Sequence, residues 1–168
     1  MRETAEDVTA LQAILDQSIE NAGSYLRRSF GIPKHSLSAV QLIDYLQGHK
    51  TVAFASVTAR GEPRVAPNDS IFYRGKFYIT TVANAVRTKL VQHRPAVSLT
   101  CFEGTILAII VHGTATVIAP DHPEFAAVDE VHREVLKKSI LDFGEGVFLR
   151  VDAKRIYSFV REPEKVLN

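Results

Sequence analysis

The sequence predicts a mainly β protein with flanking helices, folded as an antiparallel Greek-key barrel. Three observations carry that expectation. Segments rich in β-branched and aromatic residues, at 51–58, 64–73, 76–82, 96–102 and 105–118, follow one another closely. Several joints are tight: Ala59-Arg60-Gly61-Glu62-Pro63, Arg74-Gly75 and Glu103-Gly104 all have turn chemistry. Parallel neighbours need a crossover of a dozen or more residues, and these joints leave no room for one.

The remaining elements follow in order. Residues 4–26 read as a helix, with Val8, Leu11, Leu15, Ile19 and Leu26 holding one face. Gly31 and Pro33 break it. Ser38, with Gln41 three residues on, has the capping-box spacing that starts a second helix. Val40, Ile43 and Leu46 form its expected inward stripe, and Gly48 ends it. After three strands, residues 84–93 switch to helical spacing, with Val86 and Leu90 on one side. The segment 106–111 is apolar on both faces, as a central barrel strand would be. Asp121 or His122 starts a further helix, with Pro123 in its first turn and Phe125, Val128, Val131, Val135 and Leu136 inward. Beyond Gly144 and Gly146, residues 147–151 and 155–160 form a closing strand or a bent pair.

At 168 residues the chain is of single-domain length, enough to bury about two-thirds of its unfolded surface. Its formal net charge is +1, from 20 basic and 19 acidic side chains, so the total implies no nucleic-acid partner. The N-terminus lacks the apolar core of a signal peptide, and no apolar run approaches the ~20 residues that span a bilayer. The expectation is a cytoplasmic protein with no membrane partner. The single cysteine, Cys101, sits in an apolar stretch and reads as a small buried hydrophobe. Phosphate-binding glycine loops, zinc-protease and nucleophile-elbow motifs are missing. The six histidines share no ligand spacing, so no metal site is expected. His112, beside Gly113 in the long strand, reads first as a structural histidine and second as a catalytic or haem-ligating one.

The chemistry concentrates between Phe77 and Leu99. A strand ends in Thr80 and Thr81, and a helix then begins with Arg87, Thr88 and Lys89 near its first turn. Helix N-termini present unpaired N–H groups and the positive end of the dipole. Together with these side chains they suit a phosphate dianion; on the residues alone, a strand-to-helix junction with a solvated basic face is the equal alternative.

This stretch resembles the pyridoxamine 5′-phosphate oxidase-like, FMN-binding split-barrel superfamily. The resemblance extends upstream through the segment 51–58, Gly61-Glu62-Pro63 and Val65-Ala66-Pro67. Downstream it takes in Val111-His112-Gly113-Thr114-Ala115 and Ile156-Tyr157-Ser158-Phe159. It implies an N-terminal helical extension at 1–37 and an FMN-binding split-barrel domain at 38–168. It carries cofactor contact onto Val65, Ala66, Pro67 and Asn68 of the second strand, and onto Thr80, Thr81, Thr88 and Lys89, with Arg87 as a neighbour by reach. True pyridoxamine phosphate oxidases place Arg and Lys along the second strand, where this chain has Ala66 and Ile71. Their C-terminal substrate-phosphate segment has no counterpart after Arg161, so vitamin B6 oxidation is not expected. The resemblance implies an FMN-dependent oxidoreductase acting on a small molecule as a homodimer. The deazaflavin F420 is the alternative cofactor, and a non-catalytic flavin- or haem-binding protein the second alternative. No residue is assigned as catalytic.

Overall fold

The computed structural model of the chain describes residues 2–162. Three helices come first: α1 (Ala5–Glu20), α2 (Ser24–Phe30) and α3 (Ala39–Tyr45). Three strands follow, β1 (Lys50–Val57), β2 (Pro63–Tyr73) and β3 (Lys76–Val82), then α4 (Val86–His93). The second half holds β4 (Ala96–Glu103), β5 (Leu107–Ile118), α5 (Phe125–Leu136), a short 3-10 helix (Ile140–Phe143) and β6 (Gly146–Val160). The last six residues of the expected barrel domain lie outside the described residues.

The strands close into a barrel in the order β1-β2-β3-β6-β5-β4, with every neighbour antiparallel. This is the Greek-key split barrel that the sequence predicts. Strands β3 and β4 are consecutive in the chain but not adjacent in the sheet, and α4 carries the chain between them. The split is visible in the register. β2 pairs with β1 from Pro63 to Ser70, but with β3 only from Ser70 to Tyr73. β3 turns away and pairs with β6 as far as Val82. Among the described residues, 63–69 therefore have a strand on one side only.

Alternation sorts β2 into two faces. Val65, Pro67 and Asp69 are exposed, whereas Asn68, Ser70 and Phe72 are buried toward the barrel interior with Phe54, Phe77 and Ile79. A second apolar cluster lies outside the barrel wall, where α5 covers Ile71, Tyr78 and Phe148 with Phe125, Val128 and Val131. The N-terminal helices complete the first cluster: Leu11 and Leu15 of α1 and Leu42 and Ile43 of α3 join the barrel core. Arg74 ion-pairs with Asp7 at one end of α1, and Ser18 near the other accepts from the Ile156 amide of β6 at 2.9 Å.

Several boundaries differ from the sequence expectation. The helix expected over 4–26 is two helices, α1 and α2, interrupted after Asn21. Arg27 explains the break, because its guanidinium donates to the carbonyls of Ile19, Glu20 and Ala22 and so satisfies the end of α1. Ser38 does cap α3 in a capping box with Gln41, but Val40 points to solvent and Ala39 and Leu42 take the inward positions. In α4 the inward residues are Thr88 and Val91; Val86 is 70% exposed. Of the closing strand or bent pair expected, the structure has the single strand, β6, with a β-bulge register shift against β5. Cys101 is buried in the barrel core, and that burial pushes its thiol pKa up.

Candidate functional site

The split and the start of α4 enclose two adjoining clefts. One, of about 530 Å³, is lined by Phe54, Ser56, Arg64, Val65 and Ala66 from β1 and β2, facing Val86, Arg87 and Leu90 of α4. The other, of about 420 Å³, is lined by Asp69, Thr80, Thr81 and Arg87, with His132, Ile140 and Phe143 on its far wall. Arg87 is the residue common to both.

The positions of these side chains follow from local structure. Thr80 donates to the Asp69 carbonyl at 3.2 Å, bridging the split where β2 and β3 part. Asp69 in turn holds His49, 2.8 Å away. Arg87 Nη1 donates to the Thr81 hydroxyl at 2.9 Å, which lays its guanidinium across the end of β3. The N-terminus of α4 starts at Ala85, which has no side chain able to cap it, so its first amides keep their donor capacity. This is the arrangement that an anion fits: a fork-shaped cation, two hydroxyl residues and a helix start converge.

Thr88 has another task. It is 1% exposed, and its hydroxyl donates to the Val82 carbonyl at 2.8 Å, locking the β3–α4 junction. Lys89 is exposed and lines neither cleft. Of the β2 residues, Val65 and Ala66 line the first cleft, Pro67 is exposed on the outer face, and Asn68 is turned into the barrel wall. Among the described residues, the Asn68 Oδ1 and the Ser70 Oγ are buried without a hydrogen-bond partner.

Sequence reasoning missed the far wall of the second cleft, where α5 and the 3-10 helix bring His132, Ile140 and Phe143 opposite Thr81. His132 is 1% exposed, its ring packs edge-on to Phe148, and Nδ1 lies 2.7 Å from the Lys138 carbonyl. A carbonyl only accepts, so Nδ1 carries the proton. The ten-residue spacing to His122 gave no hint of this placement.

No curated protein matches this chain. Among solved structures, a conserved hypothetical protein, Rv2991, from Mycobacterium tuberculosis matches with a TM-score of 0.65 at 17% identity, covering 81% of this chain and 92% of that one. HutZ, a haem storage protein from Vibrio cholerae, matches with a TM-score of 0.60 at 16% identity, over 72% of this chain and 91% of its own. An FAD-binding protein from Mesorhizobium loti matches at 0.58 and 21% identity, over 73% and 93%. At these identities the likeness is one of fold. The sequence model of the pyridoxamine 5′-phosphate oxidase family matches residues 41–159, from α3 to the end of β6. With most of its length matched, and with the split barrel in place, this chain belongs to the pyridoxamine 5′-phosphate oxidase family.

Proposed function

We propose that the chain binds FMN at the β2–β3 split and acts as an oxidoreductase on a small molecule. The observation that carries this reading is the position of Arg87, which faces both clefts and stands at an uncapped helix start beside Thr80 and Thr81. The cofactor phosphate would be held by Arg87, the α4 amides and the Thr81 hydroxyl, whose oxygen accepts from Arg87 and whose proton is free to donate; Thr80 gives its proton to the Asp69 carbonyl. The ring would lie toward Val65 and Ala66, where β2 has a free edge. The cofactor supplies hydride chemistry when bound; the residues named here anchor it, orient it and leave one face open.

On β2 the cation that lines the first cleft, Arg64, is ion-paired with Glu62. Ile71 is buried under α5 and Ala66 is small, so neither offers a charge to a second phosphate. A less charged substrate than pyridoxamine phosphate suits that cleft. A second copy of the chain would complete the cleft by covering Val65 and Val86, which are each 70% exposed. The test is titration of the purified protein with FMN and with F420, followed by visible absorption. Saturable FMN binding that is weakened in Arg87→Ala supports the reading. F420 binding alone replaces the cofactor, and binding of neither removes the oxidoreductase.

A further inference from the structure

We propose that a separate cleft, between α1 and the bulged part of β5 and β6, binds a small amphiphilic anion: a carboxylate or phosphate ester on an apolar body. It has a volume of about 990 Å³ and shares only Ser56 with the clefts described above. The proposal does not rest on the cofactor reading.

The polar end of this cleft is made by the bulge. In β6, Arg155 pairs with His112 and Ala153 with Gly113, leaving Lys154 as the extra residue without a partner. Strand alternation would send Lys154 and Arg155 to opposite faces. Instead Val151 and Ile156 both face the core, the parity resets between them, and the two consecutive cations both stand on the cleft side. Gly113 permits this, since a Cβ there would collide with the Asp152 carbonyl oxygen. Opposite Arg155, the His112 ring is fixed by Ser98, whose Oγ lies 2.7 Å from Nδ1, leaving Nε2 for a ligand.

Among the described residues, no acidic one lines the cleft. Among the described residues, no carboxylate pairs with Lys154 or Arg155. Two adjacent like charges beside an imidazole weaken the folded state slightly unless an anion joins them. Part of the cleft is suited to an apolar body: Ala55, Val57, Pro63 and Ala96 line the barrel side and Ile14 the helix side, among uncharged polar groups such as Gln17, Asn21 and Thr114. Helix α1 is held there by the Ser18–Ile156 hydrogen bond, right beside the bulge.

Isothermal titration with octanoate, octyl phosphate and uncharged octanamide tests the proposal. At least one of the two anions binds saturably, and octanamide binds about tenfold or more weakly, the size of a lost charge-assisted contact. Preference between the anions identifies the headgroup. The Lys154→Gln/Arg155→Gln variant, which alters only exposed side chains, loses that affinity and keeps or slightly raises the wild-type melting temperature, while Arg87→Ala retains the affinity. Octanamide binding as tightly as the anions overturns the proposal. So does absence of anion binding, an unaffected double variant, or loss of binding in Arg87→Ala instead.

Discussion

Asp129 of α5 accepts a hydrogen bond from the Ile140 amide at 2.8 Å, fastening the 3-10 helix to the helix before it. The same carboxylate accepts from Ser139 Oγ and Arg133 Nε, both at 2.8 Å. Through Ile140 and Phe143, this joint sets the far wall of the second cleft. Burial on its own would raise the Asp129 pKa, but the bonds from Ile140, Arg133 and Ser139 outweigh it and hold the carboxyl below its ordinary value.

That direction gives a pH signature. With the folded value depressed, the stabilisation is complete above the unfolded value of about 3.9 and disappears as pH falls through the folded one. Asp129→Asn should destabilise the protein at neutral pH by about 2–3 kcal/mol. Its stability should also fall less steeply than that of wild type below about pH 4. Urea unfolding across that range checks both; parallel curves for the two proteins would exclude this role for Asp129.

Gly113 should be irreplaceable at the bulge. Gly113→Ala places a methyl against the Asp152 carbonyl and should destabilise by about 2–4 kcal/mol. An unchanged urea midpoint would show that the β5–β6 register yields more easily than the geometry implies.

Within the cofactor reading, Arg87 and Lys89 are expected to differ. Arg87→Ala should weaken FMN binding by about 1.5–3 kcal/mol, the range for a charge-assisted hydrogen bond. Lys89→Ala should weaken it less, because Lys89 is exposed and lines neither cleft. Fluorescence titration of both variants decides the order, and a larger loss at Lys89 reverses the assignment.

For the second copy, Val65→Asp introduces a charge on the expected contact. Sedimentation equilibrium at micromolar concentration should show a dimer for the wild type and a shift to monomer for the variant. A wild-type protein that stays monomeric with FMN present would remove the dimer.

The barrel was legible because its evidence is local. Alternating β-rich runs and tight turns such as Arg74-Gly75 define pairing without reference to distant residues. The cofactor end was legible only as a cluster, since the spacing of Arg87, Thr88 and Lys89 cannot say which side chain turns inward. Thr88 is committed to the Val82 carbonyl, a contact that depends on how α4 leaves β3. The break after Asn21 depended on Arg27 reaching back to three carbonyls, which helical periodicity does not encode. The bulge in β6 did leave a trace, as the gap expected between residues 151 and 155, but its effect on Lys154 and Arg155 required the pairing with β5.

The free edge of β2 has one more consequence. A strand with a neighbour on one side only is a template on which another polypeptide can add, the first step toward runaway assembly. Pro63 and Pro67 both fall within residues 63–69, and neither has an amide donor to offer an incoming strand. A foreign chain would therefore meet an incomplete ladder there, whereas a small molecule that brings its own donors needs only the carbonyls. The two prolines make this edge selective, discouraging aggregation while leaving it open to a ligand.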